Sequence, residues 1–85
     1  MLVGPPALAS EVEHWGRCLK GSFLELRGSY TLRAQAAEAA FGTCKTEERA
    51  LYMYFLREGG GDAAFAQRGV VTLQVRAKRD MLSLP

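Results

Sequence analysis

Apolar residues recur every three or four positions along most of this chain. Val12, Trp15 and Leu19 share one such stripe, which predicts an amphipathic helix. A serine with a glutamate three positions later forms a capping-box pattern at Ser10, so the helix is predicted to begin there and to end at Gly21. Residues 1–9, which include two adjacent prolines, are expected to be an extended segment.

Two more helices are predicted in the middle of the chain. The run over residues 31–41 is rich in alanine, the strongest helix former. Thr46 can cap a third helix, whose first turn carries Glu47 and Glu48 against the positive end of the helix dipole. The three consecutive glycines at 59–61 must end this helix, because each costs about 1 kcal/mol in a helix interior.

Two interpretations compete beyond the glycines. Asp62 can cap a short helix that ends at Gly69, and Thr72 can cap a last helix that runs to about residue 82. Apolar and polar residues also alternate over residues 70–76, a period that is typical of a half-buried strand. We favour helix, because good helix formers follow in residues 77–82 and no second convincing strand is available to pair with the first.

These elements predict the fold class. With 85 residues, of which 48% are hydrophobic, the chain can build one core and has no room for a second. We therefore expect a single all-α domain over residues 10–85, a small bundle of four or five short helices that ends in a helix-turn-helix at about residues 62–83.

Charge is placed unevenly along the chain. The net charge is only +2, but the last 18 residues hold four basic side chains, Arg68, Arg76, Lys78 and Arg79, against the single acid Asp80. A cationic face of this kind suits phosphate or an acidic protein partner.

The two cysteines, Cys18 and Cys44, are too few for the disulfide framework of small secreted domains. The amino-terminal residues do not resemble a signal peptide, and no apolar run is long enough for a membrane span. We therefore expect reduced thiols in a soluble cytoplasmic protein that has no membrane association.

Metal binding and catalysis have little support in the sequence. His14 lies four residues before Cys18, and Cys44 could add a third ligand, but a closed zinc site needs four, usually in tight pairs. We expect no metal and no cofactor, with the second cysteine a separate buried thiol. No nucleophile motif accompanies the only histidine, so an enzyme is not predicted.

The helix-turn-helix layout predicts which residues would bind DNA. In such a unit the second helix enters the major groove with hydrogen-bonding and cationic side chains on its outer face. Residues of those types are Arg68, Thr72, Gln74, Arg76, Lys78 and Arg79, of which Gln74 and Arg76 are the best candidates to read base edges. Val75 and Leu82 are expected to pack inward. An ordinary solvated helix face explains the same charges, so that interpretation stays open.

Two segments carry a family resemblance. The stretches 46–56 and 65–79 resemble the helix-turn-helix of the fourth region of bacterial sigma factors. The tryptophan-glycine-arginine element at 15–17 is similar to small phage late-gene antiterminators of the Q type. The resemblance implies a phage-encoded transcription regulator that binds promoter DNA, bacterial RNA polymerase or both in the host cytoplasm.

A second function class is a small inhibitor or adaptor that binds a host protein without nucleic acid. It would use the aromatic helix, with Tyr52 and Tyr54 as candidate contacts, together with the basic tail. The helical spacing of these aromatic residues is also typical of core packing.

Overall fold

The computed structural model describes the backbone from residue 7 to residue 85 and the side chains from residue 10 onward. Its four α-helices are α1 (Ala7–Leu26), α2 (Arg33–Thr43), α3 (Lys45–Glu58) and α4 (Ala63–Leu82), and a short 3-10 turn follows α1 at Arg27–Ser29. The all-α fold class is confirmed, and the described residues contain no strand. None of the described helices has the length and apolarity needed to cross a membrane.

The first helix is longer at both ends than its sequence signals predict. Ser10 does not cap it, because the helix is already formed at Ala7. The extended segment predicted for the first nine residues is therefore wrong for residues 7–9, and the rest of it lies outside the described residues. At the other end the helix continues past Gly21 because the apolar stripe continues, with Phe23 fully buried one turn beyond Leu19.

The core forms where α1 packs against the two middle helices. Its members are Trp15, Leu19, Phe23, Ala36, Ala37, Ala40, Cys44, Leu51 and Met81. The three alanines of α2 are completely buried, and their small side chains let the backbone of α1 approach closely. The ring of Trp15 then packs 6.1 Å, centre to centre, from that of Phe41.

A disulfide joins α1 to the junction between α2 and α3. Cys18 and Cys44 are bonded, with their Cα atoms 6.0 Å apart. The expectation of reduced, separate thiols is therefore wrong for this structure. The pairing follows from packing, because the buried stripe of α1 lies against the turn where α2 ends and α3 begins.

The glycine corner between α3 and α4 behaves as predicted. Gly60 and Gly61 have φ angles of 66° and 90°, a left-handed conformation that favours glycine. Asp62 then caps α4, because its carboxylate accepts hydrogen bonds from the backbone N–H groups of Ala64 and Phe65.

The predicted helix-turn-helix at 62–83 is wrong, because α4 is one continuous helix of 20 residues. Residues 70–76 are helical, as favoured, but no turn occurs at Gly69. This glycine lies at the helix contact, where a Cβ atom would come within 3.0 Å of the Phe55 ring. The close packing of α3 on α4 explains why a glycine is useful inside the helix despite its conformational cost.

Loss of the disulfide should destabilise the fold. Closing a loop between cysteines 26 positions apart removes chain entropy from the unfolded state that corresponds to about 3 kcal/mol. We expect Cys18→Ser, which breaks the bond and keeps the buried Cys44 thiol, to lose roughly that free energy of unfolding, as measured by urea titration. Reduced wild-type protein is the matched control and should unfold near the same midpoint; equal stability of the oxidised wild type and the variant would contradict this account.

The role of Gly69 is testable against another helical glycine. At Gly16 an added Cβ meets no described atom within 4 Å, so Gly16→Ala should stabilise the protein by about 1 kcal/mol through helix propensity. Gly69→Ala should fall short of that value by about 1 kcal/mol or more, because the methyl group must displace the Phe55 ring. Equal gains in denaturation midpoint for the two variants would show that the Phe55 ring leaves room for a methyl group at position 69.

Candidate functional site

The outward face of α4 is the largest collection of predicted site residues that the structure exposes. Ala66, Val70 and Met81 are buried and mark the side of the helix that faces the core. On the opposite side, helical spacing of 3.6 residues per turn arranges the side chains in two parallel stripes. We call these the arginine stripe, which consists of Arg68, Thr72, Arg76 and Arg79, and the apolar stripe, which consists of Val71, Val75 and Leu82.

The arginine stripe contains four of the six residues predicted to bind DNA, and all four are exposed. No ion pair within the described part of the chain involves any of its arginines. The positive charge of this stripe is therefore available to an external acidic group.

The apolar stripe contradicts the sequence expectation for two of its members. Val75 and Leu82 were expected to pack inward, but they are 58% and 37% exposed, and Val71 is 41% exposed. The reason is the register of the helix. Leu73 and Ala77 are the residues that pack against the core, and Val75 lies between them in sequence and on the other side of the helix.

The two stripes meet in a shallow groove along the surface. It has a volume of about 360 Å³ and is lined by Val71, Thr72, Val75, Arg76 and Arg79. Apolar surface and guanidinium groups are thus presented together, over roughly two helical turns.

Gln74 and Lys78 do not belong to this face, although both were predicted to contact DNA. The Gln74 side-chain amide donates a hydrogen bond to the Glu48 carboxylate at 3.1 Å. The Lys78 ammonium forms an ion pair with Glu38 at 3.0 Å. Both side chains therefore face neighbouring helices, because they lie on the flank of α4 between the core and the apolar stripe.

The two tyrosines predicted to bind a protein differ in their exposure. Tyr54 is only 9% exposed and belongs to the buried side of α3, so it is not available as a contact residue. Tyr52 is half-buried and lines a second groove, of about 390 Å³, between α3 and α4. Lys45, Glu48 and Arg49 lie along the same groove.

A third cluster surrounds the disulfide. Each of Cys18, Cys44 and Glu47 offers one ligand atom, and these atoms all lie within 4.8 Å of one another. Glu47 belongs to this group, whereas His14, which the sequence offered as a candidate ligand although no metal was predicted, does not. Only the helical spacing of Cys44 and Glu47, three residues apart, could have indicated that the two side chains share a face.

Comparison with known proteins provides no further guidance. No family model matches the chain, no curated protein matches it, and no solved structure matches it.

Proposed function

We propose that this chain is a small helical binding module, an adaptor or inhibitor, that docks the outward face of α4 on an acidic protein surface. The observation that carries this proposal is the exposure of the apolar stripe directly beside the arginine stripe. An exposed apolar strip flanked by polar residues is typical of a protein interaction site, and arginine is enriched at such sites.

The spacing of the apolar stripe suits a groove on the partner. Val71, Val75 and Leu82 are separated by four and seven residues, so they follow one side of the helix over about 16 Å. Helices that dock into apolar grooves use anchors at this kind of spacing. The flanking arginines would pair with carboxylates at the rim of the groove and so select acidic partners.

The same face is less suited to duplex DNA. Phosphate contacts need cations, but they gain little from a row of valine and leucine side chains. A helix that reads bases in a helix-turn-helix does so mainly with its amino-terminal residues, supported by a helix across the backbone. In α4 the first four residues are Ala63, Ala64, Phe65 and Ala66, which offer no hydrogen bonds to base edges.

The antiterminator resemblance implies contact with both promoter DNA and bacterial RNA polymerase, and the contact with polymerase is compatible with this proposal. Promoter DNA is its rival. The two differ in one measurable respect, because an acidic protein surface should need both stripes whereas DNA should need only the arginines.

Binding to two defined probes separates these functions. The first probe is a fluorescent acidic amphipathic peptide with leucines along one helical face and glutamates beside them, and the second is a fluorescent DNA duplex of mixed sequence. We expect Val71→Ser/Val75→Ser and Arg76→Gln/Arg79→Gln each to weaken peptide binding about tenfold or more, as measured by polarisation, since interface anchors each cost more than about 1 kcal/mol when removed.

Matched controls lie on α1, away from this face. Leu24 is 41% exposed and Lys20 is exposed, so Leu24→Ser and Lys20→Gln make the same chemical changes elsewhere and should leave the affinity unchanged. Tighter binding to the duplex, lost in the arginine variant and retained in the valine variant, would replace the adaptor function with DNA binding.

A cytoplasmic location is part of the proposal and has a consequence for the disulfide. Cytosolic thiol systems keep most cysteines reduced, so Cys18 and Cys44 should be found as thiols in cells that produce the protein. Acid quenching followed by alkylation and mass measurement should detect two added groups on each chain. Recovery of chains with no added group would instead place the protein in an oxidising compartment.

A further inference from the structure

Two cysteines and a glutamate lie together at the corner where α1 meets the α2–α3 junction. We call this the cysteine corner, and it plays no part in the proposed docking by the outward face of α4. Glu47 directs a carboxylate oxygen to within 3.7 Å of the Cys18 sulfur. Its neighbour Glu48 is paired with Lys45, whereas no ion pair within the described part of the chain involves Glu47. A half-buried carboxylate thus faces two sulfurs, with no cation beside it among those residues.

We infer that the reduced form of this chain binds a thiophilic divalent cation, with Zn²⁺ the best fit, through Cys18, Cys44 and Glu47. The disulfide and the metal site are then two alternative states of the same corner. Thiolate sulfurs and carboxylate oxygens are both zinc ligands, and three protein ligands leave the fourth tetrahedral position to water.

The position of the carboxylate supports this assignment. Zn–S bonds of about 2.3 Å and Zn–O bonds of about 2.1 Å in a tetrahedral site place a ligand sulfur and a ligand oxygen roughly 3.6 Å apart. The observed distance from the Cys18 sulfur to the Glu47 oxygen is 3.7 Å. Glu47 is therefore already at the separation from Cys18 that a shared metal ion requires.

The two sulfurs must separate before a metal can bind. A dithiol reductant, which itself becomes a disulfide, supplies two electrons and two protons to break the S–S bond and produce two thiols. Metal binding then displaces both thiol protons, and the sulfurs move to about 3.8 Å apart in a tetrahedral site. Cys18 and Glu47 are both half-buried, so these two side chains have room to move together away from the buried Cys44.

The surroundings of Cys44 fit a thiolate ligand. Its sulfur is fully buried, and the Ser22 hydroxyl oxygen lies 3.6 Å from it. This hydroxyl can donate a hydrogen bond to a thiolate, which is the kind of outer-shell contact that orients metal ligands. Ser22 follows Cys18 by one helical turn, so the same face of α1 supplies both groups.

Cadmium titration of the reduced protein tests the inference, because Cd²⁺ is a spectroscopic substitute for Zn²⁺ that gives an ultraviolet thiolate-to-metal absorption band. The full chain is reduced with a phosphine, which is oxidised to its phosphine oxide with oxygen from water, and is kept free of air. We expect one Cd²⁺ per chain, with release of two protons, and no such band in the oxidised protein.

Glu47→Gln is the decisive variant, and Glu48→Gln is its matched control on the next position of α3. Removing a direct ligand should cost at least as much affinity as removing an outer-shell partner, about tenfold or more, whereas Glu48→Gln should bind Cd²⁺ as the wild type does. Cys18→Ser should abolish the band without placing a hydroxyl group in the buried position of Cys44. Circular dichroism on each reduced variant establishes that the helices are intact.

Three results would overturn the inference. The first is a reduced, folded wild type that shows no thiolate-to-metal band. The second is equal affinity in Glu47→Gln and Glu48→Gln, which would leave only a dithiol without the carboxylate ligand. The third is equal Cd²⁺ binding by the oxidised protein, which would place the metal elsewhere on the chain.

Discussion

The close approach of α1 to α2 is the contact on which the rest of this structure depends. Ala36, Ala37 and Ala40 are fully buried and have no side chain beyond Cβ, so the larger residues of α1 can lie directly against the helix. The two cysteines then come within bonding distance at one end of this contact. In a domain of this size, which buries a limited fraction of its surface, such a covalent link supplements a small core.

This arrangement determines what α4 presents to solvent. The core of the bundle uses only one stripe of that helix, which includes Val70, Leu73, Ala77 and Met81, so the opposite side is exposed in the part of the chain that the structure describes. The apolar side chains Val71, Val75 and Leu82 remain exposed there and therefore contribute little to the core. They lie next to arginines that form no ion pair within the described part of the chain, and this combination is the basis of the proposed docking on an acidic partner.

The outward face of α4, which is the proposed docking surface, and the cysteine corner involve different elements. This separation limits how one could influence the other. The cysteine corner connects α1 with the start of α3. The outward face of α4 lies on the side of that helix that points away from the core. A change between disulfide and metal would act on the packing of α1, and α1 contacts α4 near its carboxyl-terminal end, around Met81 and Leu84. Any influence on partner binding would have to pass through that contact.

Local signals were sufficient for several features of the fold. The acidic first turn of α3, the break at Gly60 and Gly61, and the cap at Asp62 were all predicted correctly, because each depends on interactions within a few residues. The all-α class followed from periodicity in the same way. Helix ends were less predictable, since α1 continues past Gly21 only because Phe23 finds a place in the core.

The sequence by itself determined the all-α class, the glycine corner that separates α3 from α4 and the residue types that α4 carries. Tertiary structure alone decided that Gly69 lies inside a helix rather than at a turn, because the Phe55 ring packs against it. It also decided which side of α4 faces outward, exposing Val75 and turning Gln74 and Lys78 toward Glu48 and Glu38. These outcomes depend on contacts between residues far apart in the chain, which the spacing of residues along one helix does not specify.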